Sequence, residues 1–341
     1  MKSRFFAATT PAVTRQNRPV CTLVIDAEED FDWDVPIQGT LHSTAHMKNV
    51  RVLHGILSSY GIVPAYLLTY PVLEDPDVVR IVRRQLEQEH CAAGVQLHPW
   101  VTPPFDDVMA HRTSFSGNLE ANFEERKLLA LKAKFREVFG FEPTVYRSGR
   151  YGLSSHTGRL LEKHGFLIDT SVAPRTNFTV EGGPDYSDHD YELFWFGEQR
   201  DLLEIPLCRS IVGWAGPLAP ALYHGLSGPR LSGLHVPSVL TRSRCAERIT
   251  LSPEGNDVAA MRRLLLGLLA RGQDVFALSF HSSSLQAGRN PYVRTKAELH
   301  GFYDRLSEIL DFMASALAVR FASILEIPGV LDRPARRAAP A

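Results

Sequence analysis

Apolar residues along this chain follow two rhythms. Short, nearly continuous runs recur at CTLVID (21–26), VPAYLLTY (63–70), GVQLHPW (94–100), PTVYRSG (143–149), FLIDTS (166–171), LLEIPLC (202–208), VFALSFHS (275–282) and RFASILEI (320–327). Runs of this kind belong to strands covered on both faces, as in parallel sheets. Amphipathic stretches of helical period lie between them. NVRVLHGILSSYG stops at Gly61, DPDVVRIVRRQLEQEH starts with Asp75 as cap and Pro76 behind it, NLEANFEERKLLALKAKFREVFG closes at Gly140, and LSSHTGRLLEKHG opens on serine caps. SPEGNDVAAMRRLLLGLLARG precedes the seventh run and TKAELHGFYDRLSEILDFMASALA the eighth.

Strand and helix alternate some seven times, and right-handed crossovers between parallel strands follow. The pattern predicts an α/β fold: a single distorted (β/α) barrel of about seven to eight parallel strands, covering residues 20–330. Residues 1–19 and 331–341 lack a periodic apolar pattern and read as flexible ends. Residues 174–200 and 209–252 are rich in Gly and Pro and long for connections, which places them over the barrel mouth.

With 341 residues, 44% of them hydrophobic, the chain can bury one large core. Its 37 basic and 38 acidic residues balance to a net charge of -1, which gives no general attraction for nucleic acid or anionic membrane. The apolar run near the start is too short and interrupted for a secretory segment, and no stretch reaches a membrane span. Cys21, Cys91, Cys208 and Cys245 form no C-x-x-C pair. The expectation is a cytoplasmic protein without a transmembrane segment, its oligomeric state open.

Barrels of this kind carry their chemistry at the C-terminal ends of the strands. Those ends bear Asp26, Glu28 and Asp30, then His98, Arg147 and Arg150, Asp169, Glu204 and His281. LVIDAEEDFDW packs Asp26, Glu28, Glu29, Asp30 and Asp32 into seven positions. Carboxylates so close raise one another's pKa and repel unless something positive sits among them. In an extended segment Asp26, Glu28 and Asp30 point one way. A divalent ion there, with His98 as nitrogen ligand, would settle the repulsion; the mixed N/O set suits Zn first, or Co, Ni or Mn, rather than Ca.

LVIDAEEDFDW, VQLHPWVTPPF, YRSGRYGLS, IDTSV and LSFHSSSL, in that order, resemble the five motifs of the polysaccharide deacetylase superfamily (carbohydrate esterase family four, NodB-like), in a divergent bacterial form, over roughly residues 20–327. The resemblance implies a distorted barrel and metal-dependent removal of an N- or O-acetyl group from a glycan. It maps the catalytic base onto Asp26 and metal ligands onto Glu28 or Asp30 and His98. Where the family has a second metal histidine, this sequence has Thr102, with Gln96 two residues before His98. The arginine that orients the base maps onto Arg147, with Arg150 as competitor, and the last motif's histidine maps onto His281, which would protonate the leaving group.

The same reading makes the partner an acetylated glycan, lipid-linked or nucleotide-linked, in surface-polysaccharide assembly. Trp100, Tyr151 and Trp214, with Trp33, are candidate platforms for sugar rings. HSSSLQAGRNPYV (281–293) would form a rim whose Arg289, with Arg294, suits phosphate or carboxylate groups. His42 and His46 read as surface residues, and DYSDHD (185–190) as a hydrated turn. Two rivals stand beside this: a metal-free glycoside hydrolase using paired carboxylates such as Asp26 and Glu204, and a catalytically inactive glycan-binding barrel.

Overall fold

The computed structural model describes residues 6, 9–14, 17–31, 43–105, 112–216, 219 and 244–334. His42, Trp33 and Asp32, and most of the stretch from 217 to 243, lie outside them.

The chain pairs first as β1 (Thr10–Pro11) and then as β2 (Val20–Ala27), whose eight residues are all buried. β3 (Ala65–Leu68), β4 (Ala92–Leu97), β5 (Val145–Ser148) and β6 (Ile168–Asp169) follow in parallel. β7 (Phe194–Phe196) runs antiparallel to β8 (Leu202–Glu204). β9 (Arg209–Val212) and β10 (Glu247–Thr250) make a separate antiparallel ribbon. β11 (Val275–His281) and β12 (Arg320–Phe321) return alongside β2.

The order β1-β7-β8-β6-β5-β4-β3-β2-β11 places seven parallel strands, from β8 to β11, side by side. β12 adds to the start of β2 at Val20 and Cys21, on the edge that β3 takes from Val24 onward. The wall then closes without a ladder. Leu251 N donates to Cys208 O at 2.7 Å, and Ser279 N donates to Leu251 O at 3.2 Å, joining β11 to the segment after β8. The fold is thus an α/β distorted barrel, as the apolar runs predict.

Helices cover the outside: α1 (Val50–Leu57), α2 (Tyr70–Glu74), α3 (Pro76–Glu87), α4 (Ala121–Phe139), α5 (Thr157–Lys163), α6 (Val258–Leu269), α7 (Lys296–Asp311) and α8 (Ile327–Val330). Their ends follow local chemistry. Asp75 caps α3 by accepting from Asp77 N and Val78 N at 2.9 and 3.3 Å, and Gly140, at φ +83°, takes the left-handed position that ends α4.

Three expectations change. RFASILEI is a strand for two residues only, then turns helical. The helix expected from Ser252 begins at Val258, because Asp257 caps it by accepting from Ala260 N and Gly255, at φ +69°, breaks the chain before it. The two stretches expected to be irregular contain β7, β9 and β10. β7 is a buried aromatic triplet, Phe194–Trp195–Phe196, with the Phe6 ring edge-on to both phenylalanines at 4.9 and 4.8 Å. In the stretch read as a flexible end, Thr10 and Pro11 pair with β7, and Thr14 bridges Leu331.

Candidate active site

The acidic turn after β2 finds its positive partners among side chains. Asp26 Oδ1 accepts from Arg147 Nη1 at 2.5 Å. Glu28 Oε2 lies 3.6 Å from His98 Nε2, and Glu29 Oε1 lies 2.8 Å from His98 Nδ1. Asp30 sits between His46 Nδ1 at 3.0 Å and Arg289 Nη1 at 3.1 Å. Crowded carboxylates on one strand end are therefore balanced by two arginines and two imidazoles from four other parts of the chain.

β5 delivers Arg147 fully buried, its Nε donating to both O and Oγ1 of Thr170 at 3.1 and 2.9 Å. Burial opposes its charge, but Asp26 beside it more than compensates and holds it protonated. The next residues turn sharply: Arg150 and Tyr151 both adopt positive φ, +53° and +58°. Such a conformation costs about 1–2 kcal/mol per non-glycine residue, and it tends to persist where surroundings fix a functional geometry. Here it lays the Tyr151 ring over the Arg147 guanidinium, 5.7 Å away. Gly149, one residue earlier, must lack a side chain, since a Cβ would stand 2.6 Å from both Leu97 O and the His98 ring.

β11 ends on His281, in register with Asp26. Its Nδ1 pairs with Glu254 Oε2 at 2.8 Å, and its N donates to Glu254 Oε1 at 3.0 Å. Ser284 Oγ also donates to Glu254. Burial opposes the imidazolium, but Glu254, Glu28 and Asp26 outweigh it and raise His281 to about 10. With Nδ1 held, Nε2 faces Asp26 Oδ2 at 3.7 Å. That is beyond hydrogen-bond reach, so both atoms can meet the same guest. Asp26, Tyr151, Arg209, Glu254, His281 and Tyr292 line a cleft of about 230 Å³ there.

Of the residues singled out in the sequence, the structure brings Asp26, Arg147, Tyr151 and His281 together at this cleft. It turns others elsewhere. Arg150 donates from Nη1 to Ser114 Oγ at 2.6 Å, pairs with Glu181 and lies over the Phe115 ring, so Arg147 is the arginine on Asp26. Trp100 is buried and stacked on His98, ring centroids 4.2 Å apart, where packing replaces sugar contact. Trp214 is 75% exposed and does not line the cleft. Arg289 is engaged with Asp30. Asp169 and Glu204 share a hydrogen bond as a buried pair, in which burial raises both carboxyls, and Glu204 also accepts from Val172 N at 2.8 Å. Their burial removes Glu204 from any paired-carboxylate cleft with Asp26.

Glu254 and Arg209 escape a reading of strand ends, and His46 is wholly buried rather than superficial, its Nε2 2.8 Å from Ser282 Oγ. One signal was available: three serines follow His281, and all are buried, with Ser282 accepting from Glu28 N and Ser284 donating to Glu254.

The metal expected from the resemblance needs three converging donors. His98 has the orientation of a ligand, Nδ1 fixed by a carboxylate and Nε2 presented to Glu28. The third donor fails: Asp30 is turned to His46 and Arg289, and Thr102 is buried with no acid or imidazole in its place. Among the described residues no group of three or more His, Cys, Asp or Glu is arranged to hold an ion. The donor set does not fit a three-ligand centre.

Solved structures share this architecture. A candidate polysaccharide deacetylase from Mycobacterium smegmatis is 18% identical, with a TM-score of 0.53, the match covering 98% of this chain and 99% of that one. PuuE allantoinase is 12% identical at a TM-score of 0.52 (90% and 88% covered). A candidate polysaccharide deacetylase from Pseudomonas aeruginosa PAO1 is 11% identical at 0.50 (90% and 89%). These likenesses show a shared distorted-barrel fold. Neither a protein-family model nor a curated protein sequence matches the chain.

Proposed function

We propose that this protein is a hydrolase that removes an acetyl group from an amide or ester of a glycan, with Asp26 as general base and His281 as general acid. The observation that carries the reading is the arrangement of these two residues at the cleft. Each has one atom anchored by a buried partner, Asp26 Oδ1 by Arg147 and His281 Nδ1 by Glu254, and one atom presented to the cleft.

In the reaction, water adds to the acetyl carbonyl carbon as Asp26 Oδ2 takes its proton. The C–N or C–O bond then breaks, the leaving atom takes a proton from His281 Nε2, and acetate departs with the free amine or alcohol. A charged His281 beside the carbonyl also opposes the negative charge that develops on its oxygen. Arg147 and Glu254 act as positioning residues, Arg147 fixing Asp26 Oδ1 and Glu254 keeping the acid charged. A metal ion in this fold would polarise the carbonyl and activate the water; among the described residues Glu28 and His98 are the ones placed to contribute to it, and no step above depends on it. The ordered motifs and the shared fold support a glycan, here a lipid- or nucleotide-linked sugar of surface-polysaccharide assembly, and four buried, unpaired cysteines suit a reducing compartment.

Acetate release from an N-acetylated oligosaccharide and from an aryl acetate tests the reading. Asp26→Asn should abolish both, a loss on the order of 10²–10⁴-fold. His281→Asn should harm the amide, with its poor leaving group, more than the activated ester. Near-wild-type turnover in both variants would refute the assignment.

A further inference from the structure

The cleft beside Asp26 contains a cation for which the described residues supply no anion. Arg209 opens β9 and lines the same space as Asp26, Glu254 and His281. Its Nε donates to Thr250 Oγ1 at 2.8 Å and its Nη1 to Thr176 Oγ1 at 2.6 Å. Two neutral hydroxyls therefore fix the plane of the guanidinium while leaving most of its five N–H donors uncommitted. Its neighbours are the neutral phenols of Tyr151 and Tyr292 and a like charge on Arg248. The two carboxylates lining the cleft are already taken, Asp26 by Arg147 and Glu254 by His281 and Ser284. No carboxylate among the described residues lies within ion-pair distance of Arg209.

A half-buried arginine without a counter-ion among the described residues is a cost to the free protein. The other arginine first considered for an anion, Arg289, has Asp30 at 3.1 Å and needs nothing further. An orientation fixed by hydroxyls, in place of neutralisation by a carboxylate, suits a guanidinium that meets its anion only when a ligand arrives.

We infer that Arg209 is a specificity residue that recognises an anionic substituent, a carboxylate or a phosphate, on the sugar unit carrying the acyl group. Its planar fork matches either group in bidentate fashion. The size of the cleft sets the distance: about 230 Å³ is below the roughly 300–1,000 Å³ of pockets for drug-sized ligands. It holds one sugar unit, so the anion must sit on that unit or at its linkage. The inference rests on the hydrolase reading for the name of the acyl group, but not for the anion.

Equilibrium binding by calorimetry at low salt separates the two. The probes are N-acetylglucosamine, N-acetylglucosamine 1-phosphate and N-acetylglucosaminuronate. The wild type should bind at least one charged sugar about tenfold or more tightly than the neutral one, and the better of the two identifies phosphate or carboxylate as the group read. Arg209→Gln should erase that preference, bringing the charged sugar's affinity down to that of the neutral one. Thr250→Val, which removes only the hydroxyl holding Nε, should weaken the preference partway and guards against misfolding of the first variant. A wild type without preference, or an undiminished preference in folded Arg209→Gln, overturns the inference. If the preference follows Arg209 but no acetylated substrate is turned over, only the hydrolase reading falls; acetate release from neutral substrates without any charge preference removes only this one.

Discussion

Replacing Glu254 by glutamine keeps the shape of the site and removes one charge. In the wild type Glu254 accepts from His281 N at 3.0 Å and pairs with His281 Nδ1 at 2.8 Å. A hydrogen bond to a charged group contributes about 1.5–3 kcal/mol. At about 1.4 kcal/mol per pH unit, its loss should lower the His281 midpoint by about one to two pH units from its starting value, which is about 10. The sign follows from that elevation. His281 stabilises the fold fully below its ordinary 6.5, and the contribution is lost as pH rises through about 10; in Glu254→Gln it should be lost at lower pH. The activity limb that requires protonated His281 should move down with it. The assay is a ¹⁵N NMR titration of the histidine rings, His281 being assigned by its absence in His281→Asn, alongside kcat/KM for an aryl acetate over the same range. Coincident midpoints in wild type and Glu254→Gln would show that Glu254 does not hold the charge, and the acid role would lose its physical basis.

Arg147→Lys keeps a charge but loses the fork that spans Asp26 and Thr170; kcat should fall about 10–100-fold with KM little changed, whereas a pure KM effect would make Arg147 a substrate contact. Because the described residues offer no third ligand, elemental analysis should find well under one equivalent of metal and chelation should leave acetate release intact; one equivalent that His98→Ala removes would reinstate a metal centre. Gly149→Ala forces a Cβ against Leu97 O and the His98 ring, so urea unfolding should show a loss of about 1–3 kcal/mol, and an unchanged midpoint would contradict the close approach. Lys127, buried on α4, donates to the carbonyls of Pro99, Thr102 and Pro104 at 2.9, 2.6 and 2.7 Å. Lys127→Met should cost about 3 kcal/mol by stranding those acceptors, and a neutral outcome would mean that the loop carrying His98's neighbours is held by other contacts.

Asp26, Arg147 and His281 were legible in the sequence because each ends a strand, and strands announce themselves by period and apolar content. Glu254 was not. It lies in SPEGN, which reads as the first turn of a helix until Asp257 is seen to cap α6 instead. Arg209 was hidden for a related reason: β9 alternates weakly, and its partner among the described residues is β10, whose sequence lies 35 or more residues away. The acidic turn shows the limit most plainly. The sequence displays the crowded carboxylates side by side, but their partners Arg147, His98, His46 and Arg289 come from distant segments. Repulsion is local and visible; its compensation is long-range and is not, so an ion was expected where arginine and histidine side chains already stand.

The wall that closes without a ladder faces the barrel's chemistry. Between the segment after β8 and β11 the described backbone bonds of the closure pass through Leu251, which gives one bond to Cys208 and takes one from Ser279, and residues on both sides of that seam, Arg209, Thr250 and Glu254 opposite Ser279 and His281, line the cleft. A guest that touches Arg209 and His281 together would span the seam as an added rung. Occupancy and closure then become one equilibrium: amide hydrogens at Leu251 and Ser279 should exchange through local opening in the free protein and slow when the cleft is filled, while those inside β2, laddered on both edges, keep their protection.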